Sequence, residues 1–287
     1  MLVSAALPAA ASASQLIARD ALGVTLAVDK QGRALVTYRE RGRLRHVVAW
    51  GAVNAVASDH SGRHARFRLD YSGGWSRWRR EVWRGFVNGC RAYDGPPLAW
   101  LVTACKAPDG SYWAVQSWRR MLPNYGAEPR GRQGVWELRL SHWRGDLARL
   151  EVELDWAFGR FDHVFGRLTY RGVPVHGQRV TAAGAPLDGF GRNIYLDTFN
   201  SAYGRGWHRE NSFLTHRGSG AFCYGVFPRS AGAPAGKGER YRASVIGPGV
   251  TPDLMWHGVA PGRYDRGLDS LANQRILSLG SQQCRPN

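Results

Sequence analysis

The chain has 287 residues, 44% of them hydrophobic and 12 of them Trp, enough apolar material for one large domain or two small ones. Its formal net charge is +17, nearly all from arginine, since Lys30, Lys106 and Lys237 are the only lysines. A surface this basic attracts polyanions, and after the first residues no segment reaches the ~18 apolar residues a membrane-spanning helix requires.

The opening stretch, MLVSAALPAAASAS, is apolar and small, with Pro8 ahead of Ala11-Ser12-Ala13. It reads as the end of a secretory leader with an A-x-A cleavage site, so residues 1–13 are expected to be a signal-peptide remnant. Export places the protein outside the cytoplasm, as a secreted or envelope-associated protein, and argues against nucleic acid as a partner.

The body reads mostly as strands. Val24–Asp29 and Ala34–Arg39 flank the turn signal Lys30-Gln31-Gly32-Arg33, and Leu44–Trp50 follows the turn at Gly42. Arg66–Tyr71 alternates, with Phe67, Leu69 and Tyr71 on one face.

The stretch GGWSRWRREVWRGF follows at residues 73–86. At about 100° per residue, Trp75, Trp78, Val82 and Phe86 gather on one side and Arg77, Arg80 and Arg84 on the other. Arg79 lies within the apolar arc, where it can cover an indole ring. The spacing predicts an amphipathic helix near 75–87. Burial of its four apolar side chains stabilises by roughly 1.5–3 kcal/mol each, so they belong against a sheet. The three arginines are then the residues offered to an acidic partner.

Trp100–Cys105 and Tyr112–Trp118 bracket Ala107-Pro108-Asp109-Gly110, the strongest hairpin signal in the chain. Both arms are apolar on both faces, so this hairpin belongs at a sheet centre. Residues 123–134 are rich in Pro, Gly and charge and form the candidate linker. Val135–His142, Leu150–Phe158 and His163–Tyr170 then alternate cleanly, as strands of a sheet wet on one side do. Glu151, Glu153 and Asp155 form a solvated face, expected to meet Arg139 or Arg167. Arg144-Gly145-Asp146 sits in a turn, where Gly and Asp are expected anyway.

Residues 193–216 combine Asp197, Asn200, Tyr203, His208, Glu210 and His216 in a segment that reads as a Gly-punctuated loop. A carboxylate within reach of a His is what general acid–base work requires. The candidate catalytic set is therefore His208, Glu210 and Asp197, the last as orienting group. The spacing is not that of a metal site, and no cofactor motif is present. Further strands are expected near Arg192–Thr198, Gly220–Phe227 and Arg240–Val245. Residues 246–287 read as mostly loop, with one helix near Asp269–Leu277.

Cys90, Cys105, Cys223 and Cys284 lack C-x-x-C spacing and fit two disulfides of an oxidising compartment. Of the three pairings, Cys90–Cys105 and Cys223–Cys284 are favoured because each stays within one region.

The fold class expected is mainly β, with antiparallel sheets. It comprises an N-terminal α+β domain (14–122) containing the helix, the linker (123–134) and a sandwich-like C-terminal β domain (135–287). The leading functional expectation is a secreted, non-enzymatic cell-envelope protein that binds acidic cell-surface polymer or anionic lipid through an Arg-rich face. An extracellular hydrolase or lyase of acidic polysaccharide is the alternative. A purely structural envelope domain is the third reading.

Overall fold

A computed structural model describes residues 14–51, 67–71, 82–121, 134–159, 161–175, 193–216, 218–226, 237–247 and 251–285. Among them the strands in chain order are β1 (Gln15–Arg19), β2 (Leu22–Val28), β3 (Ala34–Glu40), β4 (Arg43–Gly51), β5 (Phe67–Asp70), β6 (Arg91–Ala92), β7 (Leu101–Lys106), β8 (Tyr112–Met121) and β9 (Gly134–Trp143). They continue as β10 (Arg149–Ala157), β11 (Phe161–Tyr170), β12 (Val173–Pro174), β13 (Ile194–Ser201), β14 (Gly204–Phe213), β15 (Ala221–Val226), β16 (Arg240–Val245) and β17 (Leu254–Val259). One α-helix, α1 (Arg266–Ser278), follows. The fold is mainly β, and every strand pairing is antiparallel.

The strands form four sheets: a first of β2-β3-β4-β5, a second of β1-β9-β8-β7-β6, a third of β14-β13-β16-β17, and a fourth in which β11 pairs with β10, β12 and β15. Alternation along β8 explains how they stack. Trp113 and Val115 join Val36, Val47 and Leu138 in the core between the first and second sheets. Trp118 points the other way and packs with Tyr195 of the third sheet and Ile246. Ile194 and Leu196 turn from the third sheet to Val164 and Leu168 of the fourth. Phe165 faces the opposite way, against Ala272 and Ile276 of α1. β8 and most of β9 are thus covered on both faces, as the doubly apolar hairpin predicts for its β8 arm, whereas β7 leaves Leu101 and Val102 exposed. Trp113, Trp118, Trp143 and Trp156 are buried, while Trp136 is half exposed.

Asp265 caps α1, its Oδ1 accepting from the amides of Gly267 and Leu268. Such a cap contributes about 1 kcal/mol. The helix was expected near Asp269–Leu277, but the rest of 246–287 also includes β17, which pairs with β16.

Several expectations shift. β9 pairs with β8 from Met121–Gly134 to Tyr112–Trp143. The candidate linker at 123–134 therefore connects two neighbouring strands of one sheet, and β9, read as the start of the C-terminal domain, belongs to the second sheet. Pro, Gly and charge mark a turn as readily as a domain boundary. β11 is buried on both faces, so among the strands expected to be wet on one side only β10 keeps the exposed alternation. The acidic face of β10 meets Arg275 of α1 through Glu153 and Asp155, and Arg149 through Glu151. Residues 75–81 of the expected amphipathic helix lie outside the described residues. Its end, Val82–Gly85, forms one 3-10 turn, in which Trp83 stacks on His46 of β4 with ring centroids 4.7 Å apart.

Both disulfides, Cys90–Cys105 and Cys223–Cys284, are formed. No helix among the described residues is long and apolar enough to cross a membrane.

A buried polar seam joins the second and third sheets. Asp253, ahead of β17, accepts from Trp118 Nε1 (2.8 Å), Ser14 Oγ (2.5 Å) and the Gly247 amide (3.0 Å). Its own amide donates to Gln116 Oε1 at 2.8 Å. Arg139 reaches Glu137 and the Ser14 carbonyl. Burial disfavours the Arg139 charge, yet Asp253 and Glu137 overcome it and raise its affinity for the proton.

Candidate functional site

β13 bears out the strand expected near Arg192–Thr198, and the rest of residues 193–216, expected as a loop, continues into β14, so that the two form a hairpin of the third sheet. Register shifts between Leu196 and Asp197 and between Phe199 and Ser201 interrupt the alternation by which strands are recognised. The hairpin presents two polar faces, one toward the second sheet and one toward the fourth.

Asp197 belongs to the face toward the second sheet. Its carboxylate takes Arg209 Nε at 2.5 Å and Arg242 Nη2 at 2.7 Å, and Arg209 also donates to the Met121 carbonyl. Burial alone would raise the Asp197 pKa, but the two guanidinium groups hold it below its ordinary value. Glu210 faces the fourth sheet, where Tyr224 Oη of β15 donates to Oε1 at 3.2 Å. Asp197 and Glu210 are therefore on opposite faces, and the set His208, Glu210 and Asp197 does not converge. Asp197 is occupied by two arginines and orients neither partner.

Beyond the ion triplet, the Asp197 face opens into a row of rings and guanidinium groups. Arg240 lies 3.9 Å over the Phe199 ring and 5.8 Å from the Trp207 centroid. Arg242 lies 4.5 Å over Trp207, and His257 stacks on Trp207 at 5.5 Å. Burial and the two neighbouring arginines lower the His257 pKa, which keeps that ring neutral. Cross-strand registry produces the row: Phe199 opposes both Trp207 and Arg240, and Arg242 opposes His257. Arg240 is exposed and has no carboxylate partner among the described residues. Trp207, Arg240, Arg242 and His257 went unmarked in the sequence because they come from three strands. The only local sign was the alternation of Arg240-Tyr241-Arg242.

On the opposite face, Glu210 sits among Tyr203, Tyr224 and Tyr241. Burial pushes the Glu210 carboxyl up to about 7. Burial, then the nearby Glu210 charge, raises Tyr203 to about 12, and the same two causes act on Tyr224. Tyr241 donates to Asp162 Oδ2 at 2.7 Å, and Lys237 stands 3.7 Å from Asp162 Oδ1. Four atoms of this face are buried without a hydrogen-bond partner among the described residues: Thr198 Oγ1, Tyr203 Oη, His208 Nδ1 and Glu210 Oε2. His208 directly opposes Thr198, and its ring centroid lies 6.4 Å from that of Tyr203. The His208 Nε2 is 2.9 Å from the Arg205 carbonyl, which can only accept, so Nε2 carries hydrogen. In the neutral ring Nδ1 is then a bare acceptor.

The remaining expected residues are placed as follows. Arg77 and Arg80 lie outside the described residues. Arg84 is exposed, in the 3-10 turn against the first sheet. His216 bonds Ser219 at 2.9 Å, away from Glu210. Arg144 of the RGD tripeptide donates to the Asp109 carbonyl. Among the described residues no group of three His, Cys, Asp or Glu is placed to hold a metal ion. The chain matches no protein-family model, no curated protein and no solved structure.

Proposed function

We propose that the protein is an exported cell-envelope component that binds an acidic polysaccharide across the Arg–aromatic face of the third sheet. Arg240 carries this reading, because it is an exposed guanidinium laid over Phe199 and Trp207 with no carboxylate partner among the described residues. Its neighbours Arg242 and His257 extend the row. Rings offer flat faces for sugar rings, and fixed guanidinium groups offer paired donors to carboxylate or sulfate. The net charge of +17 draws a polyanion in from a distance. The disulfides suit the oxidising compartment that export implies. Acidic polysaccharide is favoured over lipid because the row is built of stacked planes rather than protruding apolar side chains.

Titration with polygalacturonate, read by fluorescence or calorimetry, tests the proposal. The wild type should bind, Trp207→Ala and Arg240→Ala should each weaken binding severalfold, and vesicles of anionic lipid should bind poorly. Equal binding by both variants, or preference for the vesicles, contradicts it.

A further inference from the structure

Several buried carboxylates among the described residues have cationic neighbours. Glu137 meets Arg120 and Arg139, Asp197 meets Arg209 and Arg242, Asp162 meets Lys237, and Asp253 meets Arg139. Glu210 does not. It is 6% exposed, its Oε2 has no hydrogen-bond partner among the described residues, and no Lys, Arg or His there forms an ion pair with it. An unpaired buried carboxylate is among the costlier arrangements a fold can hold. None of the described Lys or Arg residues is placed here to pair with it.

The surroundings indicate what could complete the group. Tyr203 is 9% exposed and Thr198 is fully buried, and the side-chain oxygen of each is unpartnered, as is His208 Nδ1. All four unpartnered atoms can accept a hydrogen bond. Tyr203, Tyr224 and Tyr241 contribute aromatic rings, whose faces attract cations. The groups facing Glu210 are Tyr203 from its own hairpin, Tyr224 from β15 and Tyr241 from β16, with His208 beside Tyr203 and Asp162 and Lys237 behind Tyr241. An anion would meet two carboxyl groups, and a neutral ligand would leave Glu210 without a counter-charge. A primary ammonium brings one positive charge and three N–H donors.

We infer that the Glu210 face of the third sheet is a binding site for a ligand bearing a primary ammonium group. The ammonium nitrogen donates to Glu210 Oε2 and to acceptors among Tyr203, Thr198 and His208. Binding requires the Glu210 carboxylate, so the carboxyl releases its proton to solvent as the ammonium enters. The site lies on the face opposite the Arg240–Trp207 row, and the inference does not depend on that row's ligand.

Isothermal calorimetry with ethanolammonium chloride on the intact disulfide-bonded protein tests this, with ethylene glycol and choline as comparisons. Affinity should be about tenfold higher at pH 8 than at pH 6, since a carboxyl titrating near 7 is mostly protonated at the lower pH. At pH 6, titration in buffers of different ionisation enthalpy should show release of close to one proton per ligand bound. Ethylene glycol should not bind, and choline, which lacks N–H donors, should bind more weakly. Glu210→Gln should abolish binding, and the wild-type proton release stands as the test if that variant does not fold. No binding at pH 8, binding without proton release, or choline binding as tightly as ethanolammonium overturns the inference.

Discussion

Trp118 Nε1 donates a 2.8 Å hydrogen bond to Asp253 Oδ2, tying the middle of β8 to the segment that enters β17, 135 residues later. The same carboxylate also holds Ser14 and the Gly247 amide and stands 3.9 Å from Arg139. One acidic side chain thereby fixes the second sheet against the third.

Asp253→Ala should cost about 3–5 kcal/mol in urea unfolding, because it leaves the Trp118, Ser14 and Gly247 donors buried without their acceptor and removes the charge beside Arg139. Asp253→Asn should cost less, since it keeps an oxygen for some of the donors. A loss below ~1 kcal/mol for the alanine variant would show that the seam does not hold the sheets together.

Glu210 sets a pH dependence of stability. Its folded pKa of about 7 lies above the ordinary 4.5, so the folded state holds the proton more tightly than the unfolded chain does. Stability is undiminished below pH 4.5 and falls as pH rises from there through 7. The loss from this group approaches about 3 kcal/mol at alkaline pH. Chemical denaturation at pH 5 and pH 8 should show this fall, and Glu210→Gln should remove it. An unchanged profile in the variant would assign the dependence to other groups.

The leader reading also makes a definite prediction. Cleavage after Ala13 leaves Ser14 as the first residue, whose side chain and carbonyl are held by Asp253 and Arg139. On that reading, intact-mass measurement of protein recovered from outside the cytoplasm should give an N-terminus at Ser14. A mature chain that retains residues 1–13 would contradict the reading.

The disulfides close loops of different length, with sequence separations of 15 and 61. By loop entropy, replacing Cys90 and Cys105 with Ser should cost about 3 kcal/mol, and replacing Cys223 and Cys284 about 4 kcal/mol. Urea midpoints in the wild type and the two double variants would rank them, and a larger loss for the shorter loop would reverse the expectation. The second bridge also ties β15 to the segment after α1, so its loss should loosen the helix.

Local chemistry made much of this fold legible. Turn signals about Gly32 and Gly42 marked the strands containing Val36 and Val47, clean alternation marked those about Leu154 and Val164, and Pro108-Asp109-Gly110 marked the turn where the Gly110 amide bonds the Ala107 carbonyl. The pairing of cysteines followed from their spacing. Sheet membership was not legible, because β9 pairs with β8 although residues 122–133 separate them in sequence, and composition does not tell neighbouring strands of one sheet from separate domains. The 193–216 hairpin was obscured by its two register shifts. Glu210 and His208 stood out as chemistry-bearing residues, but the direction each side chain takes depends on those same shifts. Asp197 therefore looked like a neighbour of Glu210 although it turns to the opposite face. Trp207, Arg240 and His257 become a row only through registry across three strands, which no local pattern carries.

The most direct test of the binding role is the salt dependence of polygalacturonate affinity in the wild-type protein. The attraction exerted by exposed guanidinium groups is screened beyond ~8 Å at physiological ionic strength, and over shorter distances as salt rises. Affinity should fall at least tenfold between about 0.05 M and about 0.5 M salt, and the fall should be shallower in Arg240→Ala. An affinity constant across that range, or a decline identical in the variant, would contradict an acidic polysaccharide held by this face.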